Sequence, residues 1–221
     1  MTDREMATTA IPGALRDAIV NLAPSEVCLD DLKTTEFQGI DPSVIRLLAQ
    51  ADDLVRRGIG YRPYRFSRPL SRKDLTPLKR RLSCSEFLWS LFSLADFDMG
   101  DHPVKSKKMA FKKNVYPQTL MKVTDGSILP GDILVYAHPR EELKRQRERF
   151  GKSEVGHVVL VVSADRKIVV GSHGRESTPS GGKIGVGYRK LLQGWEWWTN
   201  GRPLQAVYRL SSLYKRGEHD R

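Results

Sequence analysis

Two apolar stretches of the sequence decide the fold: Leu129-Pro130-Gly131-Asp132-Ile133-Leu134-Val135-Tyr136 and Gly156-His157-Val158-Val159-Leu160-Val161-Val162. Each is a short apolar run that begins just after Gly or Gly-Asp, which is typical of a buried strand. Two further runs follow at 167–170 and 206–210. The turn at 163–166 is short enough to join the second and third runs as an antiparallel hairpin. The second half of the chain is therefore predicted to form an antiparallel sheet.

Helical patterns precede these strands. Asp41-Pro42 offers an N-cap followed by proline at the first helical position, and an apolar stripe then runs to Gly58. Ser83 and Glu86 have the spacing of a capping box, which places Cys84 at the first position of a second helix. Helices followed by a meander of strands predict an α+β fold.

The remaining segments have weaker patterns. The charged segment 141–152 is predicted to be a helix between the first two strands, whereas 60–81 and 96–125 are interpreted as a loop and a connection. Residues 1–40 carry one amphipathic stripe and are interpreted as an N-terminal helical extension. We expect the main domain to span 41–214 and a basic tail to span 215–221.

Composition limits the class of protein and its partners. The 221 residues include 37 Lys and Arg against 26 Asp and Glu, a formal net charge of +11. This excess favours an anionic partner without naming one. No stretch is long and apolar enough to span a membrane, and the first residues lack the apolar core of a Sec signal. With only Cys28 and Cys84, the chain is not a disulfide scaffold.

Cys84 is the candidate nucleophile. A cysteine reacts as its thiolate, and the start of a helix lowers the pKa of a thiol because unsatisfied N–H groups and the helix dipole favour negative charge there. A nucleophile also needs a base and a group that orients the base. His157, at the start of an otherwise apolar strand, is the candidate base. His173, which follows the next strand of the hairpin, or its neighbour Ser172 is the candidate third group.

These motifs resemble those of the NlpC/P60 papain-like cysteine peptidases over about residues 41–210. The resemblance is carried by the Pro63-Tyr64 element, the Ser83-Cys84-Ser85 helix start, the Pro-Gly-Asp strand at 130–136 and Gly156-His157-Val158. Ser83 and Glu86 stand where the family commonly has Asp and Gly, and the capping box explains how both serve the helix start.

The resemblance implies a papain-like fold with N-terminal helices packed on an antiparallel sheet. It implies that Cys84 attacks a peptide carbonyl, His157 transfers the proton and His173 orients the imidazole, with Tyr64 lining the site near the oxyanion. The helix start that includes Ser83 and Ser85 is expected to stabilise that oxyanion. The family's usual substrates are peptide stems of bacterial peptidoglycan, and no cofactor or metal is expected. A zinc site formed by Cys84, His157 and His173 is chemically feasible, but nothing in the sequence favours it.

The leading hypothesis is thus a cysteine amidase or endopeptidase that acts on peptidoglycan peptides. Lacking a Sec signal, it would reach the periplasm or cell wall of a target bacterium as a toxin of a contact-dependent, type VI-like secretion system or as a phage lysis enzyme. A toxin would have an immunity protein or a secretion-system carrier as further partners.

Two alternatives stay open at the level of sequence. One is a papain-like effector that cleaves, deamidates or acyl-transfers on a host protein or lipid. The other is a basic module that binds nucleic acid or a membrane surface, in which Cys84 is structural. The basic segments match no groove-reading motif, so nucleic acid is not the expected partner. The tryptophans at 195, 197 and 198 are interpreted as a cover over the core or a sheet edge.

Overall fold

The computed structural model describes residues 40–61, 81–111, 115–151, 156–174, 184–191, 195 and 202–211. Four helices and eight strands lie in these ranges. They are α1 (Pro42–Arg56), β1 (Gly60–Tyr61), β2 (Arg81–Leu82), α2 (Cys84–Leu94), α3 (Ser106–Phe111), β3 (Leu120–Lys122), β4 (Ile133–Tyr136), α4 (Arg140–Phe150), β5 (His157–Ser163), β6 (Ile168–His173), β7 (Gly185–Lys190) and β8 (Leu204–Leu210).

Six strands form one antiparallel sheet in the order β3-β8-β4-β5-β6-β7. Strands β1 and β2 form a separate parallel pair. The α+β class, the antiparallel sheet and the β5–β6 hairpin confirm the sequence predictions, and α4 lies where a helix was predicted. Three sheet features were not predicted: β3, β7 and the β1–β2 pair. The segment 96–125 was wrongly interpreted as a connection throughout, because it contains α3 and β3.

Both faces of the central strands are covered. Val158, Leu160 and Val162 of β5 face a core that includes Leu47 of α1 and Phe87 of α2. The alternate residues of β5 face a second cluster with Leu134, Tyr136 and Val169, against which Trp195 packs. All seven residues of β5 are consequently buried. This two-sided burial explains why the strand reads as a continuous apolar run rather than an alternating one.

The turn before β4 has specific chemistry. Gly131 has φ +87°, and a Cβ atom there would lie 2.5 Å from Cγ1 of Val44, so the turn and its packing on α1 both require glycine. The fully buried carboxylate of Asp132 accepts the Leu129 amide at 2.8 Å. It also accepts Nε and Nη2 of Arg209 on β8, each at 2.8 Å. The Pro-Gly-Asp motif therefore connects the start of β4 to β8 through the Asp132–Arg209 ion pair and packs on α1 through Gly131.

Several predictions fall outside the described residues. These are the helical stripe within 1–39, the Pro63-Tyr64 element, the tryptophans at 197 and 198, and the basic tail. Within the part of the chain that the structure describes, no helix combines the length and the apolar character that crossing a membrane would need.

Candidate active site

Cys84 occupies the predicted position. It is the first residue of α2, Ser83 is the N-cap, and the capping box is complete: the Ser83 hydroxyl accepts the Glu86 amide at 3.3 Å and the Glu86 carboxylate accepts the Ser83 amide at 2.9 Å. Glu86 is itself fully buried. The sequence Ser-Cys-Ser-Glu thus starts the helix at Cys84 through local hydrogen bonds alone.

The expectation of a lowered thiol pKa is wrong for this structure. Cys84 is only 6% exposed, and burial raises its pKa above the usual 9.0. Hydrogen bonds from the Val158 amide, from Ser85 and from the Ser106 side chain act in the opposite direction but do not overcome burial. The helix start is present as predicted, but desolvation of the charged form has the larger effect. The thiol is therefore protonated at neutral pH.

The sulfur of Cys84 lies against the strand that begins at His157. The Val158 N–H that faces the sulfur belongs to the peptide bond joining His157 to Val158. Contacts between α2 and β5 hold the helix start against this end of the sheet. Cys84 is thus close to the first residues of β5, which begins 73 positions further along the chain.

His157 and His173 form a direct buried pair. Nε2 of His157 and Nδ1 of His173 are 3.2 Å apart, and the two ring centroids are 5.3 Å apart. Continuing the Leu160–Val170 register of β5 and β6 by three residues places the two histidines opposite each other. The hairpin that the sequence predicts therefore brings them together.

The hydrogen bonds fix which nitrogen of each imidazole carries the proton. Nε2 of His173 is 2.9 Å from the carbonyl oxygen of Gly187, which only accepts, so Nε2 must donate. In neutral His173, Nδ1 is then the acceptor, and Nε2 of His157 must donate to it. Neutral His157 consequently carries its basic lone pair on Nδ1. Nδ1 is therefore the atom of His157 that can accept a proton.

Both imidazoles are held neutral. Burial, with smaller effects from the charges of His173, Arg202 and Arg189, lowers the pKa of His157 well below its usual 6.5. Burial and the charge of Arg189 lower the pKa of His173 to about 3, although its bond to the Gly187 carbonyl acts in the opposite direction. The Cys84 thiol and both imidazoles are therefore neutral at pH 7.

Ser172 lies elsewhere. Its hydroxyl donates to the carbonyl of Leu82 at 2.5 Å, which ties β6 to the segment just before Cys84. Of the two sequence candidates for the third group, His173 is the one that contacts His157. Ser172 instead positions the chain that leads into the helix.

Two further residues lie near the site and were missed by sequence reasoning. Ser106 hydrogen-bonds the sulfur, and its amide donates to the Ser85 hydroxyl at 3.0 Å. Tyr61 packs against Gly174, where a Cβ atom would lie 2.7 Å from its ring. Ser106 starts a helix of only six residues, which is too short for periodicity to reveal. Tyr64, the predicted oxyanion residue, lies outside the described residues.

Gly156 explains the Gly-His dipeptide. A Cβ atom at this position would lie 2.9 Å from the Tyr136 carbonyl and 3.2 Å from the Ser106 hydroxyl. Any side chain here would push α3 away from the sheet just before His157. Within the described ranges, no group of three His, Cys, Asp or Glu residues is placed to hold a metal ion.

No protein-family model matches the chain, and comparisons with characterised proteins and with solved structures find no significant match.

Proposed function

We propose that the protein is a papain-like cysteine hydrolase, similar to the NlpC/P60 peptidases, that cleaves amide bonds in the peptide stems of bacterial peptidoglycan. One observation carries the proposal: the thiol of Cys84 lies at a helix start against the peptide that follows His157, and the His173–Gly187 hydrogen bond leaves the lone pair of His157 on Nδ1. In this proposal Cys84 is the nucleophile, His157 is the base and His173 orients the base, which are the three roles that acyl transfer needs.

The reaction starts from neutral groups. As the Cys84 sulfur attacks the amide carbon, its proton moves to Nδ1 of His157 and a C–S bond forms. The negative charge that develops on the carbonyl oxygen is stabilised by backbone N–H groups of the first turn of α2, which have no partner within the helix. The C–N bond then breaks and the leaving amine takes the proton from His157. A thioester remains on Cys84.

Water completes the cycle. His157 accepts a proton from water as the hydroxide attacks the thioester carbon, and the C–S bond breaks to release the acid. The sulfur regains its proton from His157. Throughout, Nε2–H of His157 stays bonded to His173, which is neutral and therefore orients the ring without adding negative charge. The protein would act on the wall of a target bacterium, in its periplasm or cell wall.

Digestion of purified sacculi tests the proposal. The protein is incubated with peptidoglycan, and released fragments are identified by mass spectrometry beside Cys84→Ala and His157→Asn variants of verified fold. We expect cleavage within peptide stems that both substitutions reduce by about four to six orders of magnitude. Intact sacculi with the unsubstituted protein, across wall types with different diamino acids, would contradict it. Thiol-dependent cleavage of a protein substrate instead would favour an effector that acts on proteins.

A further inference from the structure

A groove between α3 and α4 has a strongly cationic lining. Its volume is about 670 Å³. Phe111 and Leu143 are the apolar residues of its described lining, and the other six are cationic: Lys105, Lys107, Lys108, Arg140, Lys144 and Arg147. None of the described residues that line it is acidic. A concave surface that carries only positive charge raises the local concentration of anions.

The lining follows from helix geometry. Arg140, Leu143, Lys144 and Arg147 have i, i+3, i+4 and i+7 spacing, so they share one face of α4. Glu141 and Glu148 are three and four residues from Lys144 and lie at the edge of this face. Glu142 lies on the far side of the helix, where it pairs with Arg145 at 2.9 Å. The guanidinium of Arg140 packs over the Phe111 ring at 5.1 Å from its centroid, which joins the two helices. Lys144 of the groove forms an ion pair with Glu148 of the same helix. This pair is weak, because the charged atoms are 3.8 Å apart and both side chains are largely exposed.

The groove runs along the helix that contacts the candidate nucleophile. Ser106, whose side chain hydrogen-bonds the Cys84 sulfur, lies between two residues of the groove, Lys105 and Lys107. From Ser106 to Phe111, α3 runs about 8 Å, because each helical residue rises about 1.5 Å. An extended peptide covers that distance in two or three residues. Three lysines of the groove lie within two residues of Ser106 along the chain. Partial burial and, to a smaller extent, the charge of Arg147 lower the pKa of Lys107, which places a cation of α3 near one of α4.

We propose that this groove binds the anionic part of the molecule that is cleaved at Cys84, a soluble oligoanion with carboxylate or phosphate groups. That the molecule bound in the groove is also the molecule cleaved at Cys84 rests on the proposed hydrolase function. The anion site itself rests only on the groove. Flexible lysines provide four of the six charges, so the groove suits either oxyanion rather than one fixed geometry.

Binding is tested on the full chain with Cys84→Ala, so that no probe is consumed. The probes are fluorescein-labelled decaglutamate for carboxylates and tripolyphosphate, as a competitor, for phosphates. Lys144→Glu with Arg147→Glu reverses two charges of the groove. Arg145→Glu with Arg149→Glu makes the same change on the opposite face of α4. All four side chains are exposed, so both double variants should fold, which thermal unfolding verifies.

We expect at least one soluble probe to bind, with a preference that identifies the oxyanion. The groove variant should weaken binding about tenfold or more and flatten its salt dependence, because charged contacts release counterions. The control variant should change affinity less than about threefold. Equal weakening by both variants would overturn the proposal in favour of general charge attraction. Binding only to phosphatidylglycerol vesicles, and to neither soluble anion, would also overturn it.

A kinetic arm separates this inference from the proposed function. In protein that retains Cys84, the groove variant should raise KM for stem-peptide fragments and leave kcat unchanged, since the groove does not touch the reacting atoms. Unchanged KM with normal cleavage would refute the groove and leave the hydrolase intact. Absent cleavage with groove-dependent anion binding would refute the hydrolase and leave the anion site.

Discussion

The buried histidine pair makes a quantitative prediction about stability and pH. His173 is fully buried, and its pKa is about 3, whereas an unfolded histidine has a pKa near 6.5. Between these values the unfolded chain binds a proton that the folded protein does not bind. Folding therefore becomes less favourable as pH falls below 6.5, by about 1.4 kcal/mol per pH unit for this one residue. Between pH 7 and pH 5 the loss is about 2 kcal/mol.

Replacing His173 with Gln removes this contribution. The substitution lowers stability at pH 7 because it disturbs the bonds to His157 and Gly187. The informative quantity is how the stability difference between the unsubstituted protein and the variant changes with pH. It should shrink by about 2 kcal/mol from pH 7 to pH 5, since only the unsubstituted protein carries the pH penalty of His173. Carboxylates that titrate in this range are common to both proteins and cancel.

Urea unfolding at pH 7, 6 and 5, followed by tryptophan fluorescence and circular dichroism, measures the difference. His102→Gln is the matched control, because it makes the same change at an exposed histidine outside the buried pair. A stability difference between the unsubstituted protein and the His173 variant that is the same at pH 7 and pH 5 would show that His173 titrates normally in the folded state. The assignment of neutral His157 and His173, with the proton of each ring on Nε2, would then be wrong.

Three further predictions follow from the thiol and from the turn before β4. In a Cys28→Ser background, alkylation of Cys84 by iodoacetamide should be slow at pH 7 and still rising above pH 9, because burial raises the thiol pKa; a plateau near pH 6 would indicate a preformed thiolate. Asp132→Asn should destabilise the protein by about 2–3 kcal/mol in urea unfolding, because it leaves the Arg209 guanidinium without its charged partner, whereas Asp165→Asn on an exposed turn should cost less than about 0.5 kcal/mol. Gly131→Ala should cost about 1–3 kcal/mol, because φ is +87° and the added Cβ meets Val44 at 2.5 Å; a melting temperature equal to that of the unsubstituted protein would contradict the packing of this turn.

Local signals were sufficient for part of this structure. The cap residues and Pro42 define α1, and the Ser83–Glu86 pair starts α2 at Cys84 within one residue, because hydrogen bonds between neighbours decide both starts. The hairpin turn at 163–166 joins β5 to β6, and a register shift between Val161 and Ser163 then places His157 opposite His173. These features depend on residues near each other in sequence, which is why pattern reasoning found them.

The missed features depend on tertiary contacts. β7 contains two glycines within Gly185–Lys190 and forms because β6 offers a paired edge, not because its own residues favour a strand. The raised pKa of Cys84 follows from burial by distant segments, and the sequence shows only the helix start that acts in the opposite direction. The acceptor that fixes the His173 tautomer is a backbone carbonyl on β7, which no side-chain motif records.

The nature of that acceptor determines how the proposed site works. A carboxylate in the place of the Gly187 carbonyl would stabilise an imidazolium and raise the pKa of the histidines, which favours a thiolate–imidazolium pair at rest. A neutral carbonyl orients the same ring without providing negative charge, and burial together with Arg189 disfavours the imidazolium further. Charge separation must then occur during the reaction itself, when the substrate carbonyl and the α2 amides receive the developing negative charge. A site of this kind keeps its thiol protonated until a substrate binds, so its reactivity toward small alkylating agents and its reactivity toward a bound amide need not rise together.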